Sequence, residues 1–378
     1  MRRSTGSDEP IRAEIDLACI AENTRILKSH AGEAHLMAVV KADGYGHGAV
    51  EVAKTSLKNG ATWLAVARLC EALALRRAGI EAPILILGVT PASGVPELIQ
   101  HRIRQTIASE THAKELSAAA QQYQGELLCH FKLDTGMGRL GFDVRNSACT
   151  SAVCEAYHLP ALCPEGIFTH IATADEADLT SARLQADLFL KTLDALESLG
   201  CHFSLCHGAN SASLFTLPHL KLGMVRAGIS LYGMNPSDEV PVALHGLRAA
   251  LSLKGTIVHV KTLQAGQSVS YGATWTATEP CTIATVSCGY GDGYPRRLSG
   301  LGRMVVKGQS APIVGRVCMD MTMIDVTGIE NVKAGDEVVI LGEDGRERVS
   351  VEEIARVAGT INYEVTCLIT SRVPRVYL

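Results

Sequence analysis

The residues best suited to chemistry cluster early in the sequence. An apolar run from Leu36 to Val40 ends in Lys41, and Gly44, Gly46 and Gly48 follow at alternate positions, with Tyr45 between the first two. A lysine at the end of a buried strand is half desolvated, which lowers its pKa and frees its amine to act as nucleophile or base. Such an amine can form a Schiff base with an aldehyde cofactor. The glycines let the backbone turn sharply beside it. Taken alone, the pattern equally suits a lysine that snorkels from a strand end towards water. Other polar residues sit where later apolar runs stop. Arg139 follows Lys132-Leu133-Asp134, His170 closes a run that includes Phe168, and Asn210 and Ser211 follow another. Ser211 alone could be a helix cap. Arg226 lies inside an apolar run, where a guanidinium needs a partner.

These positions share a scaffold signature. Strand-like runs at 36–41, 63–67, 83–88, 104–109, 127–134, 166–172, 203–209 and 224–232 alternate with helical patterns at 49–57, 70–78, 113–123 and 180–199, and Asp16 can cap an earlier helix. Eight strands alternating with helices predict an α/β fold, an N-terminal (β/α)8 TIM-type barrel over residues 11–244. A doubly wound open sheet is the alternative. Barrel active sites lie at the C-terminal strand ends, where Lys41, Arg139, His170 and Ser211 fall. After Leu244 the pattern turns to alternating segments at 251–260, 282–287, 303–306, 311–314, 321–326 and 337–341, with one helix at 351–358. This predicts a C-terminal mostly β domain over residues 245–378.

Composition narrows the function classes. The 378 residues suffice for two domains. Charged residues make up 20% and the net charge is −4, so no basic stripe for nucleic acid is expected. No apolar run reaches the roughly 18 residues of a membrane span. Met1 to Pro10 is polar with no apolar stretch behind it, so no signal peptide and a cytoplasmic location are expected. The twelve cysteines form no Cys-x-x-Cys pair. Reduced thiols fit better than a disulfide framework, and no metal site is expected.

Six motifs together resemble the alanine racemase family, which depends on pyridoxal 5'-phosphate. They are Val39-Val40-Lys41-Ala42-Asp43-Gly44-Tyr45-Gly46-His47-Gly48, Leu133-Asp134-Thr135-Gly136-Met137-Gly138-Arg139, Val269-Ser270-Tyr271-Gly272-Ala273-Thr274-Trp275, Gly289-Tyr290-Gly291-Asp292-Gly293-Tyr294, Gly315-Arg316-Val317-Cys318-Met319-Asp320 and Ile361-Asn362-Tyr363-Glu364-Val365. The resemblance runs from about Ile11 to the C-terminus. It implies that Lys41 holds the cofactor and that Lys41 and Tyr271 are the two catalytic bases, one on each face of the substrate Cα. It implies cofactor contacts from Tyr45, Ser211, the amides of Gly228 and Ile229, and Tyr363, with Arg226 facing the pyridine nitrogen. It gives Arg139 and Met319 to the substrate. It places His170 beside Tyr271, where a positive partner would stabilise phenolate. His207 matches a residue near Arg226, although alone it reads as a satisfied core histidine. Lys132 matches a lysine that is often carbamylated. Cys318 and Asp320 accompany Met319, and Asp175, Tyr290, Arg296, Arg316 and Ile361 match the access channel. The implied protein is a homodimer with active sites shared between subunits, interconverting L- and D-alanine for peptidoglycan. A serine or broad-specificity racemase is the nearer alternative. A decarboxylase on the same kind of barrel, or a non-catalytic carrier of the cofactor, is further away. Gly44 and Ser287-Cys288 depart mildly from the family pattern, and the segment 147–163 is unfamiliar in it.

Overall fold

The computed structural model describes residues 9–378, and they form two compact units. Residues 1–8 of the polar stretch read above as carrying no signal peptide lie outside the described residues.

The larger unit comprises Cys19–Gly44 and Ala49–Arg248. Eight strands pair in parallel: His35–Val39, Trp63–Val66, Ile84–Ile86, Ile103–Ile107, Leu127–Asp134, Leu162–Phe168, Leu205–His207 and Met224–Ala227, with the last returning to pair with the first. The remaining seam is bridged by backbone bonds, Gly223 N to Cys206 O at 3.0 Å and Arg226 N to Ala209 O at 3.0 Å. This is the (β/α)8 barrel. Several of its strands, such as Trp63–Val66 and Ile84–Ile86, read as continuous apolar runs because both faces are buried, one by the barrel interior and one by helices. Helix Leu17–Ala31 buries Ile20, Thr24, Leu27 and Ala31, a stripe at helical spacing. Helix Glu110–Tyr123 starts where Ser109 Oγ accepts from His112 N at 3.2 Å.

Several sequence expectations shift. The strand expected over 224–232 stops at Ala227, because Gly228 (φ −103°, ψ −106°) leads into a 3-10 turn, Ile229–Tyr232. The strand expected from Gly166 starts at Leu162 and ends at Phe168, so His170 stands beyond it. The unfamiliar segment 147–163 holds helix Cys149–Tyr157.

The second unit comprises residues 9–18, Tyr45–Gly48 and Ala249–Leu378. It is mostly β, and its central strand Leu251–Leu263 pairs with Glu337–Asp344, Cys281–Val286 and Ile11–Ile15. Ile11–Ile15 thus belongs to this sheet, running antiparallel to Leu251–Leu263 and parallel to Arg375–Tyr377, and not to a barrel domain over residues 11–244. Ala13 and Ile15 are buried while Arg12 and Glu14 face outward, and Glu14 pairs with Lys254 at 3.1 Å. That alternation is a strand signal, but its partners lie at the other end of the chain.

The Tyr45–Gly48 segment joins the same unit, and its glycines are required there. A Cβ on Gly46 (φ 84°) would lie 2.2 Å from Thr366 O, and one on Gly48 (φ 93°) would lie 1.9 Å from Tyr377 Oη. Gly46→Ala is expected to cost roughly 2–4 kcal/mol, combining a left-handed alanine with overpacking against rigid backbone. The midpoint of a urea unfolding curve reads this loss, and an unchanged midpoint would refute the contact.

Candidate active site

Lys41 does not end the first barrel strand, as the sequence suggests, but follows it. Val40 N donates to Ala65 O at 2.8 Å, and the chain then enters a left-handed turn with Ala42, Asp43, Gly44 and Tyr45 at φ 51°, 51°, 62° and 52°. Consecutive non-glycine residues in this region carry strain of order 1 kcal/mol each. Hydrogen bonds hold it. Ala42 N donates to Glu71 Oε1 at 2.7 Å, Ala49 N to Asp43 Oδ1 at 2.9 Å, and Gly44 N to Val40 O at 2.9 Å. Glu71 Oε2 accepts from Ala67 N at 2.7 Å. The glutamate therefore fastens the lysine turn to the end of the next strand. Lys41 itself is half-buried.

Arg226 lies on the last barrel strand and is buried. Its Nη1 donates to His207 Nδ1 and to His207 O, both at 2.9 Å, and Nη2 donates to Thr169 O at 2.7 Å and Gly208 O at 3.4 Å. Among the described residues Nε–H has no partner, so one donor of the fork is left for a ligand. Burial, then Arg139, lowers this guanidinium to about 9, which still leaves it charged at neutral pH. The Phe168 ring stacks on His207 at 4.8 Å, and both Arg226 (5.3 Å) and Lys132 (5.5 Å) stand over it.

Lys132 is buried, and Nζ donates to Leu133 O at 2.7 Å. Burial, reinforced by Arg226 and Arg139 against the pull of Asp134, pushes its amine down to about 7. From pH about 7 to 10.5 the unfolded chain then binds this proton more tightly than the folded one, so the lysine's own contribution to stability rises with pH across this window. In buffer depleted of carbon dioxide, Lys132→Met is expected to stabilise the fold below pH 7 by at most about 5 kcal/mol, and to flatten that rise. Urea unfolding at pH ~6, ~8 and ~10 checks it, and an unaltered slope would contradict it.

His170 differs from its expected state. Burial, with Arg226, Arg139, Lys132 and Lys41 all acting on it, holds the imidazole well below its usual range, so it is neutral and not the positive partner anticipated for Tyr271. The same four groups, of which Lys132 is only part-charged at neutral pH, make the C-terminal mouth of the barrel electropositive. Arg139 is exposed on the loop after Asp134, which Asp134 Oδ1 shapes by accepting from Gly136 N (2.9 Å) and Gly138 N (3.1 Å). Asp175 lies on the loop beyond His170.

After the seventh strand, Asn210 is the residue that caps the following turn, its Oδ1 accepting from Ser213 N at 2.9 Å. Ser211 is left for other work. Its Oγ accepts from Gly228 N at 2.9 Å and Ser230 N at 3.4 Å, which turns its own proton away from both. The Gly228 amide, expected to serve a phosphate directly, is therefore taken by Ser211. The Ile229 amide, first in its 3-10 turn, has no partner among the described residues. A hydroxyl donor, an amide donor and a guanidinium N–H suit an anionic group carrying a ring nitrogen, so the donor set fits pyridoxal phosphate.

In the other unit Tyr45 is buried and its ring lies 6.2 Å from that of Tyr363, and burial raises its pKa. Tyr271 opens a short turn, Tyr271–Ala273, and is 68% exposed, with Met319 at 53%. Ser270 Oγ donates to Arg316 O at 2.6 Å, fixing the turn beside Cys318. Tyr271, Cys318, Met319 and Asp320 line one open groove of about 450 Å³. Asp320 is held by Arg372 at 2.8 Å. Tyr290 and Ile361 are exposed, and Arg296 starts a 3-10 turn at Arg296–Leu298.

Residues 15–236 match the alanine racemase N-terminal domain and residues 250–377 the alanine racemase C-terminal domain. The chain belongs to the alanine racemase family. It is 48% identical over 373 residues to the alanine racemase of Desulforamulus reducens, covering 98% of this chain and 99% of that one. It is 46% identical over 370 residues to that of Clostridium tetani, covering 98% and 95%. The solved alanine racemase of Clostridium difficile 630 superposes with a TM-score of 0.94 at 40% identity, covering 98% and 96%. That of E. faecalis gives 0.91 at 40% over the whole of both chains.

Sequence reading missed Glu71, His130 and Glu165. Glu71 had a signal, an acid three residues into a helix that follows a strand. His130 had another, since His130, Lys132 and Asp134 occupy alternate positions of one buried strand and so share a face.

Proposed function

We propose that this chain is a pyridoxal-phosphate-dependent racemase interconverting L- and D-alanine. The observation that carries this reading is the partner set of Arg226. It contains carbonyls and a histidine but no carboxylate among the described residues, and its remaining N–H can only donate. A donor there leaves a ring nitrogen unprotonated and moderates its electron demand, which favours prompt return of the proton over decarboxylation or transamination. When bound, pyridoxal phosphate supplies an electron-accepting ring that makes the amino-acid α-hydrogen acidic.

The chain's own residues do the rest. Lys41 holds the group through its amine. The hydroxyls of Ser211, Tyr45 and Tyr363 and the Ile229 amide hold its phosphate, with Gly228 acting through Ser211. Arg139 and Met319 orient alanine, and the electropositive mouth suits its carboxylate. Lys41 removes or returns the proton on one face of Cα and Tyr271 on the other. Lys132, with a low-pKa amine, is able to take up carbon dioxide as a carbamate that braces Arg139. His170 and His207 support these groups, and Cys318, Asp320, Asp175, Tyr290, Arg296, Arg316 and Ile361 frame access.

Tyr271 and Met319 are exposed apolar groups on the groove, which supports their being covered by a second copy. We infer a homodimer in which each subunit's Tyr271 serves the other's Lys41. Among the described residues no helix is long and apolar enough to cross a membrane. All twelve cysteines are thiols, which supports a cytoplasmic enzyme supplying D-alanine for peptidoglycan. Incubating the purified, cofactor-loaded protein with L-alanine and resolving the products on a chiral column tests the activity. Accumulation of D-alanine to an equal mixture is expected, and L-alanine returned unchanged would refute it.

A further inference from the structure

Behind Arg226 runs a chain of polar groups, buried at His207 and His130 and half-buried at Glu165, of which only His207 has been given a role. Arg226 Nη1 lies 2.9 Å from His207 Nδ1, and His207 Nε2 lies 2.9 Å from His130 Nδ1. His130 Nε2 faces Glu165 Oε2 at 3.6 Å. Arg104 holds that carboxylate by Nε to Oε2 at 2.8 Å and Nη2 to Oε1 at 3.3 Å. Both imidazoles are fully buried. The chain is fitted closely. Trp63 packs on His130 at 5.4 Å, with the Arg104 guanidinium 5.1 Å above the indole. Residue 166 must be glycine to admit His130, since a Cβ there would lie 2.5 Å from His130 Nδ1.

The proton order along this chain follows from donor chemistry. Arginine can only donate, so His207 Nδ1 carries a lone pair. Burial, with Arg226, keeps His207 well below its usual range, and burial lowers His130 as well. A neutral His207 with a bare Nδ1 is protonated at Nε2 and donates to His130 Nδ1. A neutral His130 is then protonated at Nε2, towards Glu165. At 3.6 Å this last step is longer than an ordinary hydrogen bond, and no closer acceptor meets His130 Nε2 among the described residues.

We propose that Glu165, anchored by Arg104, is a positioning residue that acts through His130 to lock both histidines as Nε2–H tautomers, so that Arg226 is held with its Nε–H turned to the bound cofactor. A carboxylate that orients a histidine in this way serves metal sites similarly, where losing it costs about 10–100-fold. The tautomer order rests on the distances and on the neutrality that full burial imposes on both rings. Only its consequence for the ring nitrogen rests on the racemase reading.

The test is long-range 1H–15N NMR of the holoenzyme labelled at histidine. Both His130 and His207 are expected as neutral Nε2–H tautomers near neutral pH. A Nδ1–H or doubly protonated His207 would overturn the proposal. In Glu165→Leu the two histidines should lose their single tautomer, and kcat/KM should fall about 10–100-fold. In Glu165→Gln the amide oxygen can still accept from both Arg104 Nε and His130 Nε2, so the tautomers should be retained. Loss of tautomer order in Glu165→Gln, or its survival in folded Glu165→Leu, would show that Glu165 does not set it. Should the protein prove not to racemise alanine, the tautomer measurements still decide the proposal.

Discussion

Two inactive variants are expected to regain activity when mixed. Lys41→Ala removes the amine proposed to hold the cofactor and to work one face of Cα. Tyr271→Phe removes the hydroxyl proposed for the other face. Each alone should lose at least about 10²–10⁴-fold in racemisation, the usual contribution of a general base. The two residues lie in different units of the chain, and Tyr271 is 68% exposed, which suits a group presented to a partner. In a mixed dimer one site pairs an intact Lys41 with an intact Tyr271, and the other has neither. Random exchange makes about half of the dimers mixed, so about a quarter of the parent activity should return. Subunit exchange is followed independently with a tagged chain. Exchange without recovery would place both groups in one subunit and refute the shared site.

The second large effect is expected at Arg226. Arg226→Glu puts an acceptor where the buried fork now donates, and the new carboxylate would draw a proton onto a ring nitrogen beside it. Racemisation should fall by about 10²–10³-fold, the typical cost of removing one preorganised donor. Transamination of alanine to pyruvate should rise measurably above its level in the parent. Parent-like racemisation without pyruvate would mean that Arg226 does not govern which reaction follows. Loss of His207 as a partner complicates stability in this variant, so circular dichroism and cofactor retention should accompany the assay.

Much of this arrangement was legible in the sequence, for reasons that differ by element. Several barrel strands were visible because strands buried on both faces are largely apolar runs, and Leu127–Asp134 matches its expected limits, as does Arg303–Val306 in the second unit. The strand Ile11–Ile15 was hidden because five residues of alternating pattern do not name a partner, and its partners are at the far end of the chain. The left-handed turn after Lys41 was only half visible. Its glycines announced a turn, but Ala42 and Asp43 at positive φ are held by Glu71, a tertiary contact that no local pattern encodes. Arg226 in an apolar run announced a buried partner without naming it, and His207 and the carbonyls of Thr169 and Gly208 supply the answer. Protonation was least legible. His170 was expected beside Tyr271 with Arg139 close by as positive partners, and only burial, with its placement among Arg226, Arg139, Lys132 and Lys41, shows why the imidazole is held well below its usual range.

The central claim is that two groups, Lys41 and Tyr271, act on opposite faces of one carbon. Exchange of the α-hydrogen with deuterium oxide, followed separately for L- and D-alanine in cofactor-loaded Tyr271→Phe, tests it most directly. The account predicts that one enantiomer exchanges with solvent while keeping its configuration, because Lys41 alone still works its face. Exchange of both enantiomers at equal rates, or conversion between them at the parent rate, would contradict it.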